Sequence, residues 1–286
     1  MKRNRPARAA RIALSLALSL ALLCGFAPAH ARELRVCADP NNLPFSNAAG
    51  EGFENRIVDA IAKELGADVR YTWWAQRRGM IRNTLNASAC DVIPGIASNV
   101  GTTGTTDPYY RSSYVFVTRV DRKLGDLRGF DDPRLRTLAV GVQLIGDDGA
   151  NTPPAAALAR RGIIGNVHGY TVYGDYRRAA PQAAIVDAVA HGDIDVALVW
   201  GPTAGYFAAR APVPLTLVPV TPWLDGPQLP MAFDVSMGVR REDRALRREL
   251  DAALERNRDA IARILDAYHV PRLPADAGTT PAAQAP

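Results

Sequence analysis

The chain has 286 residues, nearly half of them apolar. That is enough for one large domain or two small ones of about 100–150 residues each. Its formal charge of +5 is a terminal effect, because five of the 34 basic residues and none of the 29 acidic ones fall within 1–31, leaving 29 against 29. A balanced remainder excludes the electrostatic footprint of a nucleic-acid binder or of a protein held on an anionic membrane surface.

The first element is a leader. Lys2, Arg3, Arg5, Arg8 and Arg11 precede an apolar run from Ile12 to Phe26, and Ala29-His30-Ala31 gives a small-x-small cleavage site. This order predicts a secretory signal peptide over 1–31, a mature chain from Arg32, and a periplasmic destination. The other reading is a membrane anchor, but the run of about 15 residues falls short of the ~20 that a spanning helix needs, so no stable membrane insertion is expected. A lipoprotein box at Leu22-Leu23-Cys24-Gly25 has Leu23 where a small residue is required, and no twin-Arg pair precedes the apolar run. With Cys24 removed, Cys37 and Cys90 remain. An even pair in an oxidising compartment predicts a disulfide; two buried thiols is the alternative.

From Glu33 the pattern alternates. Leu34–Ala38 reads as a strand ended by the turn-rich stretch Asp39-Pro40-Asn41-Asn42-Leu43-Pro44. Ile57, Ile61 and Leu65, with Val58 and Ala62 beside them, predict a helix from Glu54 to Leu65. A strand over 69–74, a helix over 76–86 and short strands over 91–95 and 114–118 follow. The theme then repeats, beginning with a strand over 138–142. Pro153 stands at the first position of a helix that Thr152 opens and Gly162 ends. A strand is expected over 167–173, a helix over 182–190 and a strand over 195–200. Gly201-Pro202 leads into a helix over 203–210. Strands over 215–220 and 233–239 precede a charged helix over about 242–268. The Pro-, Ala- and Thr-rich 271–286 reads as a disordered tail.

Strands alternating with helices imply an α/β fold of mixed, mostly parallel sheets. Two such units in succession predict two lobes joined by a hinge, with lobe one over 33–118 plus 221–270 and lobe two over 119–220. Ligands of open α/β sheets bind beyond the carboxyl ends of the strands, which puts a cleft between the lobes. No nucleophile elbow, phosphate loop, dinucleotide fingerprint or H-E-x-x-H motif is present. His168, His191 and His269 lie far apart, and two cysteines without suitably spaced histidines make no zinc site. The expectation is a protein that binds without catalysing and needs no cofactor.

Two stretches carry a family resemblance. Residues 34–47 with Gly52-Phe53-Glu54-Asn55 resemble the opening of a type II periplasmic solute-binding protein, and Asp107-Pro108-Tyr109-Tyr110 resembles the element that precedes its lobe crossover. Residues 71–79, 140–151 and Val199-Trp200-Gly201-Pro202 further resemble the MxaJ/XoxJ subgroup, accessory proteins encoded beside PQQ-dependent alcohol dehydrogenases. The resemblance spans about 33–270. It implies association with a quinoprotein dehydrogenase, with a role in its maturation or activation, and an unknown small ligand. The alternative function is a transporter receptor for a small polar solute; a third class is an enzyme such as a dehydratase built on the same fold.

Departures from the family pattern bear on the ligand. Its amino-acid receptors clamp an α-carboxylate with an arginine where this chain has Ser98–Thr106, which holds no cation. They hold the amino group with an aspartate where this chain has Trp200-Gly201-Pro202. Hydroxyls do not replace a bidentate guanidinium contact, so a free amino acid is not the expected ligand. Asp147 and Asp148 stand just before a helix start, where they serve as N-terminal caps or turn the cleft towards a cationic or neutral polar guest, a metal ion held by oxygen atoms being one form of it. Trp73, Trp74, Tyr109, Tyr110 and Trp200 belong to the core or to the cleft; adjacent Trp73 and Trp74 cannot share one side of a strand. The candidate ligand-binding residues are Asp39, Asn41, Asn42, Phe45, Phe53, Trp73, Trp74, Ser98, Asn99, Thr106, Tyr109, Gln143, Asp147, Asp148 and Trp200.

Overall fold

The computed structural model describes residues 32–98, 101, 103–145, 151–171 and 176–274. The leader at 1–31, Asn99, Asp147 and Asp148 lie outside the described residues, as does the tail from 275.

The elements in chain order are β1 (Arg32–Ala38), α1 (Phe53–Glu64), β2 (Ala67–Trp73), α2 (Met80–Asn83), β3 (Ile93–Ala97), β4 (Tyr110–Arg119), β5 (Val140–Leu144), α3 (Pro153–Arg160), β6 (Val167–Thr171), α4 (Ala184–His191), β7 (Val196–Trp200), α5 (Gly201–Ala208), β8 (Leu215–Pro219), β9 (Ala232–Val239), α6 (Arg244–Arg256) and α7 (Arg258–Ala267). The main hydrogen-bonded path runs β3-β9-β4-β7-β5-β6, with β8 also on β4, while β1 pairs with β2. β5 lies parallel to both β6 and β7, as strand-helix-strand crossovers require, and the ladders along β4 and β9 are antiparallel.

β4 is the strand that everything else is hung on. Tyr110–Ser113 pair with β9, and from Tyr114 and Val115 onward the same strand pairs with β7 and β8. Successive residues of a strand point to opposite faces. Phe116 and Leu198 accordingly enter one apolar cluster with Leu135, Val140 and Leu158, while Val117 and Ala197 enter another with Ile185, Val189 and Phe207. On the other side of the partner change, α1, α6 and α7 bury Phe53, Ile57, Ile61, Leu250 and Ile261 against Met237 of β9.

The expected elements are present with three instructive differences. The helix expected over 76–86 contracts to Met80–Asn83, since the Gln76 N–H is drawn to Asp39 Oδ2 (2.7 Å) and Gly79 turns left-handed at φ 83°. The long charged helix is broken at Asn257, whose side-chain amide donates to the Ala253 carbonyl at 2.9 Å and competes with the helix ladder. Residues 271–274, expected to begin a disordered tail, are ordered. Ser112 Oγ donates to the Pro271 carbonyl (2.7 Å) and the Leu273 N–H to the Arg111 carbonyl (2.9 Å), so these residues are tied to β4.

Cys37 and Cys90 form a disulfide across 53 residues with their Cα atoms 5.6 Å apart, buried beside Met80, Leu85 and Ile93. A loop of that length closed in the unfolded chain contributes roughly 4 kcal/mol in the chain-entropy picture. The bridge fixes the end of β1, two residues before Asp39. Among the described residues no helix is long and apolar enough to cross a membrane.

Candidate functional site

A cavity of about 740 Å³ lies beside the partner change of β4. Tyr110 and Tyr114, on either side of it, both line the cavity. One wall comes from the loop after β1, the start of α1 and β3; the facing wall comes from Gln143, Thr152, Gln182, Trp200 and Thr203. Among the described residues two carboxyl groups reach it, and they are opposite in character.

Asp39 is fully engaged. Its Oδ1 accepts from the Asn41 N–H (2.8 Å), and its Oδ2 accepts from the Gln76 N–H (2.7 Å) and the Tyr176 hydroxyl (2.7 Å). Burial and the bond to Asp39 push the Tyr176 phenol above its ordinary range, which keeps it a proton donor. Around this centre, contacts link the loop after β1 to residues 176–182. Asn41 Nδ2 donates to the Arg178 carbonyl (2.8 Å) and Gln182 Nε2 to Asn42 Oδ1 (3.2 Å), and the Arg77 guanidinium stands 5.7 Å from the Tyr176 ring centre. Asn42 also donates to Gln76 Oε1 at 2.7 Å.

Glu54 is the reverse. Only 8% exposed, it accepts no side-chain hydrogen bond from any described residue, and burial raises its carboxyl from the ordinary 4.5 to about 8. Its approach is possible because Gly95 has no side chain: a Cβ there would stand 1.8 Å from Glu54 Oε1. Gly52, which opens α1, is required for the same kind of reason, its missing Cβ lying 2.0 Å from the Phe45 carbonyl oxygen. The neighbouring phenols of Tyr109 and Tyr110 are pushed up, by burial first and by the Glu54 charge second. Tyr109 donates to the Pro94 carbonyl at 2.7 Å.

Aromatic rings make up much of the remaining surface. Trp200 meets Tyr114 at 5.4 Å and Phe233 at 5.8 Å between ring centres, both tilted towards edge contacts, and Phe45 lines the same cavity. Gln143 holds this wall in place, its Oε1 accepting from the Trp200 N–H (2.9 Å) and its carbonyl from Thr152 Oγ1 (2.6 Å). Arg77, Arg78 and Arg82 lie exposed at the mouth. No group of three or more His, Cys, Asp or Glu that would hold a metal ion occurs among the described residues.

Of the candidate residues, Asp39, Asn42, Phe45, Gln143 and Trp200 line the cavity, and Asn41 sits beside it. Phe53 does not: it is fully buried between Phe45, Tyr110 and Tyr268. Trp73 stacks on Tyr71 at 4.4 Å, and Trp74 is 41% exposed; neither lines the cavity. Ser98 bonds to Ser236, and Thr106 accepts from the Met237 N–H, both serving β9. Glu54, Tyr114, Tyr176, Gln182 and Phe233 were absent from the expected set, and Tyr110, weighed between core and cleft, lines the cavity. Glu54 carried a readable signal. It shares a helical face with Ile57, Val58 and Ile61, an acid on the apolar stripe of α1.

Residues 34–270 match the family model of bacterial extracellular solute-binding proteins, family 3. The chain belongs to that family. Within it, this solute-binding protein falls in the MxaJ/XoxJ subgroup. It is 34% identical to Protein MoxJ of Methylorubrum extorquens strain AM1 over 95% of its own length and 97% of that protein's. The crystal structure of the periplasmic binding protein XoxJ from Methylobacterium extorquens AM1 superposes with a TM-score of 0.69 at 38% identity, covering 84% of this chain and 99% of that one. MxaJ from Methlophaga aminisulfidivorans MPT gives 0.70 at 25% identity, covering 84% and 100%.

Proposed function

We propose that this solute-binding protein acts in the periplasm as a non-enzymatic accessory of a quinoprotein methanol or related alcohol dehydrogenase, holding a small guest in its cavity and serving the maturation of the enzyme. The leader-like 1–31 and the buried disulfide support the compartment. Full-length similarity to MoxJ supports the association.

The observation that carries the binding reading is the cavity itself, large enough for a drug-sized guest and flanked by both halves of β4. We draw the lobe division where β4 changes partners, between Ser113 and Tyr114, and where β9 begins after Met231, instead of at 118/119 and 220/221. The candidate binding residues are Asp39, Asn42, Phe45, Gln143 and Trp200, with Glu54, Tyr110 and Phe233 added.

The test is affinity purification of the tagged protein from the periplasm of its own host, together with deletion of its gene. Co-purification of the dehydrogenase and loss of its activity in the deletion strain are expected. No association, with normal dehydrogenase activity, overturns the proposal. A solute bound with Kd below about 1 μM in the absence of association favours the transporter receptor.

A further inference from the structure

The protein surrounds Asp39 with three donors and, among the described residues, gives Glu54 none, although both carboxyls face one cavity. A buried polar group left without a partner costs stability unless something outside the fold completes it. Gly95 is the residue that lets the Glu54 carboxyl lie where it does, so the gap belongs to the local architecture. The Glu54 carboxyl lines the cavity, so a guest seated there can supply the complement.

Three features of the surroundings choose its chemistry. No Lys or Arg is buried in the cavity wall, which leaves the carboxylate form of Glu54 without a counter-charge among the described residues. Phe45, Tyr110, Tyr114, Trp200 and Phe233 line the same space, and the faces of aromatic rings attract cations and repel anions. Asp39 adds a second negative charge. The arginines at the mouth are exposed, where water and salt weaken their repulsion, whereas Glu54 acts through a drier medium in which each charge counts for more.

We infer that the cavity holds an organic ammonium ion, its charge set against the Glu54 carboxylate and flanked by the aromatic side chains of the cavity. This rests on the binding-protein reading above and names the chemical class of its guest. The volume leaves room for an apolar body beyond the ammonium head, along Met80, Ile93 and Ile96.

Calorimetric titration of the purified mature protein at pH 9, above the point at which the Glu54 carboxyl ionises, with tetramethylammonium and n-butylammonium tests it, with 3,3-dimethylbutan-1-ol as a neutral match in shape and butyrate as the anion. Ammonium ions are expected to bind at least about tenfold more tightly than either control, and Glu54→Gln to erase that preference. Phe233→Leu, which keeps every charge, is expected to weaken ammonium binding several-fold and leave the alcohol unchanged. It also keeps the inference testable if the Glu54 variant does not fold. Equal binding of the alcohol, preference for butyrate, or no heat with either ammonium up to about 10 mM overturns it. Co-purification of the dehydrogenase, measured on the same preparations, separates the two proposals: association without ammonium binding sinks this inference alone.

Discussion

Asp39 and Glu54 stand in one cavity about which the chain makes opposite decisions. At Asp39 the backbone of Gln76, the backbone of Asn41 and the hydroxyl of Tyr176 converge, so that a charged group becomes a fastener between the loop after β1 and residues 176–182. At Glu54 the carboxyl is buried beside a glycine and tyrosines with no donor supplied by any described residue. The lesson is that burial alone does not make a carboxyl structural. What separates the fastener from the candidate binding group is whether the fold itself completes its hydrogen bonds.

The largest effect that sharpens this contrast is in the dependence of stability on pH. Glu54 binds its proton more tightly in the folded chain than in the unfolded one, so its contribution is fully present below about 4.5 and is lost as pH rises to about 8. Across that window stability is expected to fall by about 1.4 kcal/mol per pH unit from this group alone. Glu54→Gln should flatten that part of the profile, as read by urea unfolding at pH 5, 6, 7 and 8. An unchanged slope would show that the carboxyl is solvated or paired.

A smaller loss is expected on the other wall. Asp39→Ala leaves two backbone N–H groups and one hydroxyl without their acceptor, at a cost of about 2–3 kcal/mol, because water reaches part of that site. It should also raise hydrogen exchange at Gln76 and Asn41, and protection at those amides equal to the wild type would contradict the fastener role. The smallest change belongs to Tyr176→Phe. That residue is 41% exposed, so losing its bond to Asp39 should cost only about 0.5–1 kcal/mol by the same unfolding measurement.

Much of this was legible in the residues. The apolar spacing of α1, the β-rich run of β2, Pro153 opening α3 and the alternation along β7 are local patterns, and local sterics and burial decide them. The disulfide was expected from an even cysteine count behind a leader-like segment, and the family from the runs around Asp39 and Tyr109. The aromatic candidates were harder. Phe53, Trp73 and Trp200 are alike as letters, yet one fills a core, one stacks on Tyr71 and one lines the cavity, according to which face of its element meets what.

The sequence alone thus determined the order of strands and helices and the kind of fold, because each depends on short-range periodicity and on composition. Only the tertiary structure decided that β4 serves two sets of partners and that Gln76 leaves its helix for Asp39. It also decided that Glu54, read along the chain as one more helix-opening acid, lies against Gly95 with no donor among the described residues. Those outcomes depend on segments 37 to more than 100 residues apart meeting in space, and no local pattern encodes which donor will be missing when they do.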